Sequence, residues 1–330
     1  MEFGFWKKIK KPFFTIAPMA DVTDIAFREI IAIYGAPDVF WTEFVSCDGL
    51  CSRGKEKLLI DLKYTKKQKP IVAQFFGATP NHFYECALLA RELGFDGIDI
   101  NMGCPDRAVE KQGAGAALMK NPKLAQEIIK ETKRGAGKLP VSVKTRLGYN
   151  KDVMEDWLPY IFEMEPAVIT VHGRTRKEMS KVPAHWERIA DAVSLRDGYF
   201  SDAKEKPLIV GNGDVASVED GMKKAKESGV DGIMVGRGIF GNPFFFAEHK
   251  KEISPKKRLS AMVEHVRLFE KYFGNSNIDR STALKNFDNM KKHFKAYISG
   301  FENAKELRIK LMNVKSADEV KNILKTCRYL

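Results

Sequence analysis

Short apolar runs alternate with amphipathic stretches over roughly the first three quarters of the chain. Each run covers a few residues, is rich in Val and Ile and is almost continuously apolar, as strands buried on both faces of a parallel sheet are. This pattern predicts eight strands, at residues 14–16, 39–42, 71–75, 97–100, 141–144, 168–172, 208–212 and 232–235.

Helical patterns fill the gaps between several of these strands. The clearest cover residues 81–93 after Pro80, residues 122–133, and residues 218–228, where Gly229 supplies a stop. Eight strands that alternate with helices over about 220 residues predict a (β/α)₈ TIM barrel. A doubly wound open sheet is the alternative, but no predicted strand is followed by the G-x-G-x-x-G pattern of dinucleotide-binding folds.

The alternation ends after Pro243, and the remaining apolar residues recur at helical spacing. A break at residues 274–277 separates two such faces, and two shorter helices follow. The first face has Leu259, Met262, Val263, Val266, Phe269 and Phe273, and the second has Leu284, Phe287, Phe294 and Ile298. We therefore predict a barrel domain at residues 1–250 and a small C-terminal helical bundle at residues 251–330.

Length and composition exclude several classes of protein. The 330 residues suffice for a barrel and a smaller domain, and no apolar stretch reaches the length of a membrane span. The basic N-terminus lacks the apolar core of a signal peptide. Five cysteines at scattered spacings indicate neither a disulfide framework nor a zinc site. We expect a cytoplasmic protein, monomeric, with no metal and no membrane partner.

The net charge of +12 is unevenly distributed. Residues 254–330 contain 17 Lys and Arg against 8 Asp and Glu, so +9 of the excess lies in the last quarter of the chain. Clustered cations gain free energy by displacing counterions from phosphates, which indicates a polyanionic partner. A lysine-rich, solvated surface explains the charge on its own equally well.

Polar residues and glycines gather directly after the predicted strands. The carboxyl ends of barrel strands meet at one face, where the active sites of this fold lie. The residues in question are Pro18, Met19 and Ala20 after the first strand, Gln74 in the third, Asn101 to Pro105 after the fourth, Lys144 and Arg146 in the fifth, His172 to Arg174 after the sixth, Gly211 to Asp214 after the seventh and Gly236 to Gly238 after the eighth.

The two glycine-rich loops after the seventh and eighth strands match a frequent phosphate site of barrels. Asn212-Gly213-Asp214 and Gly236-Arg237 offer backbone N–H groups that an anion can approach closely, and Arg237 adds a charged donor. The alternative is that these glycines only turn the chain. Their position after these two strands favours phosphate binding.

Three side chains near the predicted barrel mouth could do chemistry. Lys144 can stabilise negative charge on a reduced ring system, and His172 can donate a hydrogen bond to a cofactor oxygen. Cys104 can act as a general acid or, with a neighbouring base, as a nucleophile; the absence of an adjacent His in the sequence favours the acid. The remaining cysteines are expected to be buried and inert: Cys47, Cys51, Cys86 and Cys327.

Several segments together resemble the tRNA-dihydrouridine synthases. The most specific are Asn101-Met102-Gly103-Cys104-Pro105 and His172-Gly173-Arg174-Thr175, and the resemblance extends from about Phe13 to the end of the chain. It implies a barrel that binds FMN and is reduced by NADPH, with a helical domain that helps to hold tRNA. Reduced FMN would deliver hydride to C6 of a uracil, and Cys104 would protonate C5.

The resemblance also assigns residues to the site. Asn101, Arg146 and Arg174 would hold the uracil and a nearby phosphate. The flavin would contact Pro18, Met19, Ala20, Gln74, Lys144, His172, Asn212, Gly213, Asp214, Gly236 and Arg237. Three alternatives remain open: an FMN barrel that acts on a free pyrimidine, the same reaction on ribosomal RNA, and a catalytically silent RNA-binding protein.

Overall fold

The structure is a computed structural model that describes residues 1–247, 253–274, 279 and 283–329. The predicted domain boundary at residues 250 and 251 lies outside this part of the chain, and so do residues 275–277 of the predicted break at residues 274–277. The strands are β1 (Phe13–Ile16), β2 (Phe40–Ser46), β3 (Ile71–Phe76), β4 (Gly97–Asn101), β5 (Val141–Arg146), β6 (Val168–His172), β7 (Leu208–Asn212) and β8 (Gly232–Val235).

All eight strands form one parallel sheet in the order β1-β8-β7-β6-β5-β4-β3-β2. The sheet curls round so that its two outer strands meet at a parallel bridge between Thr15 and Val39. Beside that bridge, the Asp38 carboxylate accepts the Phe14 N–H at 2.7 Å, and the Phe14 carbonyl accepts the Asp38 N–H at 2.9 Å. These contacts join the two outer strands at the start of β2, and the curled sheet of eight parallel strands with alternating helices confirms the predicted (β/α)₈ barrel.

The predicted strands lie where the structure has them, but β2 is longer than predicted. It continues to Ser46, past the point where Glu43 interrupts the apolar run. The register of β2 against β3 shifts between Trp41 and Phe44, so the chain bulges and pairing resumes beyond Glu43. A bulge of this kind is not visible in hydrophobic periodicity.

The helices alternate with the strands and then continue alone after β8. Within the described residues, no helix is long and apolar enough to cross a membrane. The α-helices are α1 (Ile25–Tyr34), α2 (Cys47–Leu50), α3 (Lys55–Leu58), α4 (Pro80–Glu92), α5 (Arg107–Glu110), α6 (Pro122–Ala136), α7 (Met154–Phe162), α8 (Trp186–Tyr199), α9 (Val218–Ser228), α10 (Pro255–Phe273), α11 (Asn289–Tyr297), α12 (Ala304–Leu311) and α13 (Ala317–Thr326). Turns of 3₁₀-helix cover Gly4–Lys8, Leu59–Leu62, Lys66–Gln68, Gly115–Lys120 and Arg237–Ile239.

The chain divides into two compact units. The first comprises Met1–Met19, Pro37–Leu62 and Lys69–Gly236, and it contains the whole sheet. The second comprises Ala20–Ala36, Lys63–Gln68 and Arg237–Leu330. Helix α1 therefore belongs to the second unit, although the chain reaches it between β1 and β2.

An aromatic cluster in the first unit joins the N-terminal 3₁₀-turn to the sheet. Trp6 is 2% exposed, and its ring centroid lies 5.2 Å from that of Phe13 and 5.8 Å from that of Trp41. Phe3 is buried in the same cluster, with strand residues such as Val72. The turn thus forms part of the hydrophobic core of this unit.

A buried arginine holds the separate segments of the second unit together. Arg28 of α1 donates from Nε to Oε1 of Gln68 at 2.9 Å and from its two Nη atoms to the carbonyls of Thr23 and Lys63 at 2.5 and 2.6 Å. Glu29 lies beside it and accepts from Nε2 of Gln68 at 3.1 Å. A fully buried guanidinium is tolerated because each of its three nitrogens donates to an acceptor.

Most of the residues that helical spacing places on the buried faces after Pro243 are buried in the structure. Every predicted residue on the α10 face, from Leu259 to Phe273, is buried, and so are Phe287, Phe294 and Ile298. The prediction was wrong for Leu284, which is 57% exposed. Helix α11 begins only at Asn289, so Leu284 lies in irregular chain and not on the helical face from which its position was inferred.

We predict that Trp6→Ala destabilises the protein by about 3–5 kcal/mol, the usual cost of emptying a buried aromatic site. Urea unfolding followed by far-UV circular dichroism measures it. Tyr199→Ala is the matched control, because Tyr199 is an exposed aromatic of the same unit and should cost much less. Equal midpoints for the two variants would show that the N-terminal turn adds nothing to the core.

Candidate active site

The register of the sheet places five predicted site residues on neighbouring strands. Asn101 at the end of β4 is opposite Lys144 in β5. His172 at the end of β6 is opposite Arg146 on one side and Asn212 on the other. Because the strands are parallel, all of these residues lie at the carboxyl edge of the sheet.

Lys144 and Asn212 are directly connected across this edge. The Asn212 side chain donates from Nδ2 to the Met234 carbonyl at 2.8 Å, so its Oδ1 is free to accept from Nζ of Lys144 at 3.2 Å. Burial, with a smaller effect from the charge of Arg146, lowers the pKa of Lys144 to about 8. Lys144 is therefore a cation at neutral pH that loses its proton under mildly alkaline conditions.

A fully buried carboxylate lies behind this edge, in the middle of β4. Asp99 accepts from Nε2 of Gln74 at 2.5 Å through Oδ2 and from Oγ of Ser142 at 2.5 Å through Oδ1. Burial raises the pKa of Asp99 to about 6, although these two hydrogen bonds and the charge of Lys144 lower it. Asp99 thus stays ionised at neutral pH in an apolar setting because its oxygens have good donors.

Asn101 connects this network to the loop that carries Cys104. Its Nδ2 donates to Oε1 of Gln74 at 2.9 Å. Its Oδ1 accepts the backbone N–H groups of Gly103 at 3.1 Å and Cys104 at 2.9 Å. The Cys104 carbonyl in turn accepts the Ala116 N–H at 3.0 Å. The cysteine is therefore held on both sides of its α-carbon.

The Cys104 thiol is partly buried and favours its protonated form. Burial raises the pKa of this thiol and outweighs the backbone hydrogen bond of Asp106 and the charges of Arg146 and Lys144, which lower it. A thiol of this kind holds a proton that it can donate at neutral pH, which fits a general acid better than a thiolate nucleophile.

The other cysteines only partly match the expectation that they are buried. Cys47 and Cys86 are buried, and burial raises the pKa of Cys47 well above its usual range. Cys51 is exposed, so that expectation was wrong for it, and Cys327 is partly exposed. Cys51 follows the single turn of α2, where the chain has already returned to the surface.

The predicted substrate residues Arg146 and Arg174 are buried among backbone carbonyls. Arg146 donates from Nε to the Gly103 carbonyl at 2.6 Å. Arg174 donates from Nε to the Val182 carbonyl at 2.6 Å and forms an ion pair with Asp214. Each guanidinium therefore fixes a loop at the carboxyl edge of the sheet.

Arg174 also determines the tautomer of His172. Its Nη1 lies 3.2 Å from Nε2 of His172, and a guanidinium can only donate. Nε2 must therefore accept, which places the ring proton on Nδ1. If His172 donates to a ligand, it does so from Nδ1.

The turn after β7 needs its glycine. Gly213 has φ +137°, and a Cβ at this position would lie 2.6 Å from Cβ of Ala184. The Gly213 carbonyl accepts from Nε1 of Trp186 at 2.9 Å, and the Asp214 carboxylate accepts the Ala184 N–H at 2.9 Å. The turn is thus packed tightly against the segment that leads into α8.

The remaining predicted cofactor residues lie at the ends of β1 and β8. Pro18 is buried and Met19 partly buried. A Cβ on Gly236 would make only ordinary van der Waals contacts, the nearest at 3.7 Å to Cβ of Ala17, so this position does not require a glycine for space. Ala20 and Arg237 are exposed and belong to the second compact unit.

Sequence reasoning missed Asp99 and Ser142. The signal for Asp99 was present, because a carboxylate in the middle of the apolar strand Gly97–Asn101 is costly unless it is paired. No signal in the sequence identified Ser142 as its partner. Small polar residues occur in many strands, and only the register of β4 against β5 places these two opposite each other.

A solved structure of moderate similarity supports the fold alone. It is the 6-hydroxypseudooxynicotine amine oxidase from Pseudomonas geniculata, with a TM-score of 0.50 and 16% sequence identity. The similarity covers 70% of this chain and 46% of that chain. At this identity the two proteins can be compared in architecture and not in activity.

Two curated relatives are similar over almost their whole length. A probable tRNA-dihydrouridine synthase from Staphylococcus epidermidis is 43% identical over 328 residues, which cover 99% of this chain and 97% of that protein. A probable tRNA-dihydrouridine synthase 2 from Bacillus subtilis is 43% identical over 323 residues, with 97% and 95% covered. The family model described as dihydrouridine synthase matches residues 15–329. The chain therefore belongs to the dihydrouridine synthase family, as its motifs predicted.

Proposed function

We propose that the protein reduces specific uridines of tRNA to 5,6-dihydrouridine, with bound FMN and with NADPH as the reductant. The observation that carries this proposal is the setting of Cys104, a protonated thiol held by Asn101 at the carboxyl edge of a barrel. Membership of the family supports the use of a flavin and the reduction of a uracil ring. The names of the two relatives support tRNA as the substrate.

The residues at the carboxyl edge fit a flavin. Among the described residues, Lys144 has Asn212 as its hydrogen-bond partner, so an ammonium group with three donors has donors left for a ligand. The phosphate would bind at the backbone N–H groups of the turns at Gly213 and Gly236, which follow β7 and β8. When bound, FMN would supply the hydride that C6 of the uracil receives.

The chain supplies the proton and the positioning. Cys104 donates a proton to C5, which quenches the negative charge that hydride addition at C6 leaves on the ring. Lys144 keeps a positive charge near the ring system that becomes anionic. Arg146 and Arg174 hold the loops around the uracil and contact it or a nearby phosphate. Pro18, Met19, His172 and Asp214 complete the proposed contacts with the flavin within the first unit. Gln74 is fully buried and acts through Asn101.

The second unit offers cations for the RNA backbone. Most of the lysines on α10 to α13 are exposed, among them Lys295, Lys305 and Lys325. A uracil in folded RNA must leave its stack before it can be reduced, which costs a few kcal/mol. Phosphate contacts from these lysines would offset that cost. In this proposal the protein acts as a monomer, in the cytoplasm, without a metal.

The function is tested by single-turnover reduction of tRNA with wild-type protein and with Cys104→Ala. Wild type should form dihydrouridine in tRNA, and the variant should do so about 10²–10⁴ times more slowly, the usual cost of losing a positioned acid. The variant should keep its flavin, its reduction by NADPH and its tRNA affinity, because none of these needs the thiol. Dihydrouridine is quantified in digested RNA by mass spectrometry.

Comparison substrates and a second variant complete that experiment. Free uracil and ribosomal RNA should react poorly with wild type, and a preference for either one would redirect the proposal. Cys104→Ser should recover little activity, since a hydroxyl is a weaker acid than a thiol. A normal dihydrouridine yield from Cys104→Ala would remove the thiol from the mechanism.

The flavin affinity should depend on pH through Lys144. The pKa of Lys144 lies near 8, so most of its charge is present at pH 7 and most is lost at pH 9. We expect the affinity of the apo-protein for FMN to fall across this interval, as measured by fluorescence quenching. Lys144→Met should bind FMN more weakly and with a flat profile from pH 7 to pH 9. A wild-type profile without this fall would show that the ammonium does not contact the flavin.

The lysines of the second unit should determine the salt dependence of tRNA binding. We expect the combined variant Lys295→Gln, Lys305→Gln and Lys325→Gln to bind more weakly. Each phosphate contact contributes roughly −0.7 to −0.9 to the slope of log K against log salt, so the slope should become shallower by about 2. Filter binding at several salt concentrations measures this slope.

Three exposed lysines of the barrel unit provide the matched control for charge. They are Lys138, Lys204 and Lys226. Their combined change to Gln removes the same charge from the protein and should leave the slope nearly unchanged. If both triple variants shift the slope equally, the effect is one of net charge and the second unit is not a specific RNA surface.

A further inference from the structure

A buried carboxylate in the middle of a barrel strand needs a reason. Asp99 is fully buried, and its neighbours along β4, Ile98 and Ile100, are buried as well. An apolar residue at this position would avoid the cost of desolvating a charge. The hydrogen bonds that Asp99 accepts therefore do something that an apolar side chain could not do.

The carboxylate fixes the direction of a chain of amides. Ionised Asp99 only accepts hydrogen bonds, so Gln74 must present Nε2 to it and direct Oε1 away. That Oε1 accepts from Nδ2 of Asn101 at 2.9 Å, which leaves Oδ1 of Asn101 as the acceptor for backbone N–H groups. Neither amide can flip without placing donor against donor at one of its contacts.

The last link holds the cysteine loop. Oδ1 of Asn101 accepts the N–H groups of Gly103 and Cys104 at 3.1 and 2.9 Å. A flipped Asn101 would turn its NH₂ group toward these two donors and push the loop away. The orientation of a carboxylate inside the barrel is thus transmitted through two amides to the backbone of Cys104.

We propose that Asp99 is a positioning residue for Cys104, acting through Gln74 and Asn101; this proposal rests on the proposed function of the thiol. Asp99 itself touches neither the thiol nor the ring to be reduced. Its role is to keep the Cys104 backbone in one place, so that the sulfur lies at the distance that proton transfer to C5 requires.

An electrostatic effect of Asp99 on Lys144 must be distinguished from this positioning role. Its negative charge favours the protonated form of Lys144, so loss of the charge alone could disturb the site. Asp99→Asn removes the charge and can keep the chain of amides, since its Oδ1 accepts from Gln74 while its Nδ2 donates to Ser142. The Ser142 hydroxyl can then donate to the Ile98 carbonyl, which lies 3.2 Å away.

The experiment compares Asp99→Leu with Asp99→Asn on full-length protein with bound flavin. Asp99→Leu should lower kcat on tRNA by about 10², the order expected when a reacting group is misplaced by about 1 Å, with KM little changed. Asp99→Asn should restore kcat to within a few fold of wild type. Ser142→Ala is the matched control, because it removes the other partner of Asp99 and leaves the amide chain intact.

Hydrogen exchange measures the same displacement of the Cys104 loop independently of catalysis. In Asp99→Leu the amides of Gly103 and Cys104 should exchange faster than in wild type, and in Asp99→Asn they should not. If Asp99→Leu does not fold, Asp99→Ser provides the test, since a serine hydroxyl is too short to reach Gln74.

Three results would overturn the proposal. One is wild-type kcat in folded Asp99→Leu, and another is exchange of the two amides at the wild-type rate. The third is an equal loss in Asp99→Asn, which would assign the effect to charge. Failure of the proposed function would look different, because wild-type protein itself would then form no dihydrouridine, while the exchange comparison would still report on the amide chain.

Discussion

The arrangement of the site depends on the curling of eight parallel strands into one sheet. The pairing of β1 with β8 and the bridge between Thr15 and Val39 bring the two outer strands together. The carboxyl ends of all strands then lie at one edge, and the register decides which residues are neighbours there. Asn101 lies opposite Lys144, and His172 lies opposite Asn212, as a direct result of this pairing. The chemistry of the site therefore depends on hydrogen bonds between strands that are far apart in sequence.

Burial at that edge shifts three groups in the directions that the proposed reaction needs. It lowers the pKa of Lys144 to about 8, raises that of Asp99 to about 6 and raises that of the Cys104 thiol. Burial thus leaves Lys144 as a cation that can respond to charge on a ligand, Asp99 as an anion that can orient amides, and Cys104 as a thiol that keeps its proton. The directions differ because desolvation disfavours the charged form, which is protonated for Lys144 and deprotonated for Asp99 and Cys104. Only Asp99 has two short donors on its oxygens, which is why it stays ionised at neutral pH in the interior.

Most of the fold could be predicted from the sequence, because short apolar runs between helical patterns leave few alternatives to a barrel. The position of the candidate site residues at the carboxyl edge could be predicted, because glycines and polar residues cluster after the strands. The contacts among those residues could not, since the role of Arg174 depends on Asp214 and that of Asp99 on Gln74, and neither pair is close in sequence. The exposure of Leu284 was not predicted, because helical spacing was extended over residues that precede the start of α11.

The cations of this protein fall into two physical classes, and the distinction limits what net charge alone can indicate. Lys144, Arg146 and Arg174 are buried or partly buried, and desolvation lowers the pKa of the first two. These groups have lost their hydrating water, so each needs a hydrogen-bond acceptor in the protein or in a ligand. Each therefore binds at one defined position. The exposed lysines of the second unit remain hydrated and have no such requirement. They can attract a polyanion over a wide area without fixing its register, and high salt weakens them. The exposed lysines would thus contribute affinity for RNA, and the buried cations would select one uracil. The two sets differ because only the buried cations have lost their hydration.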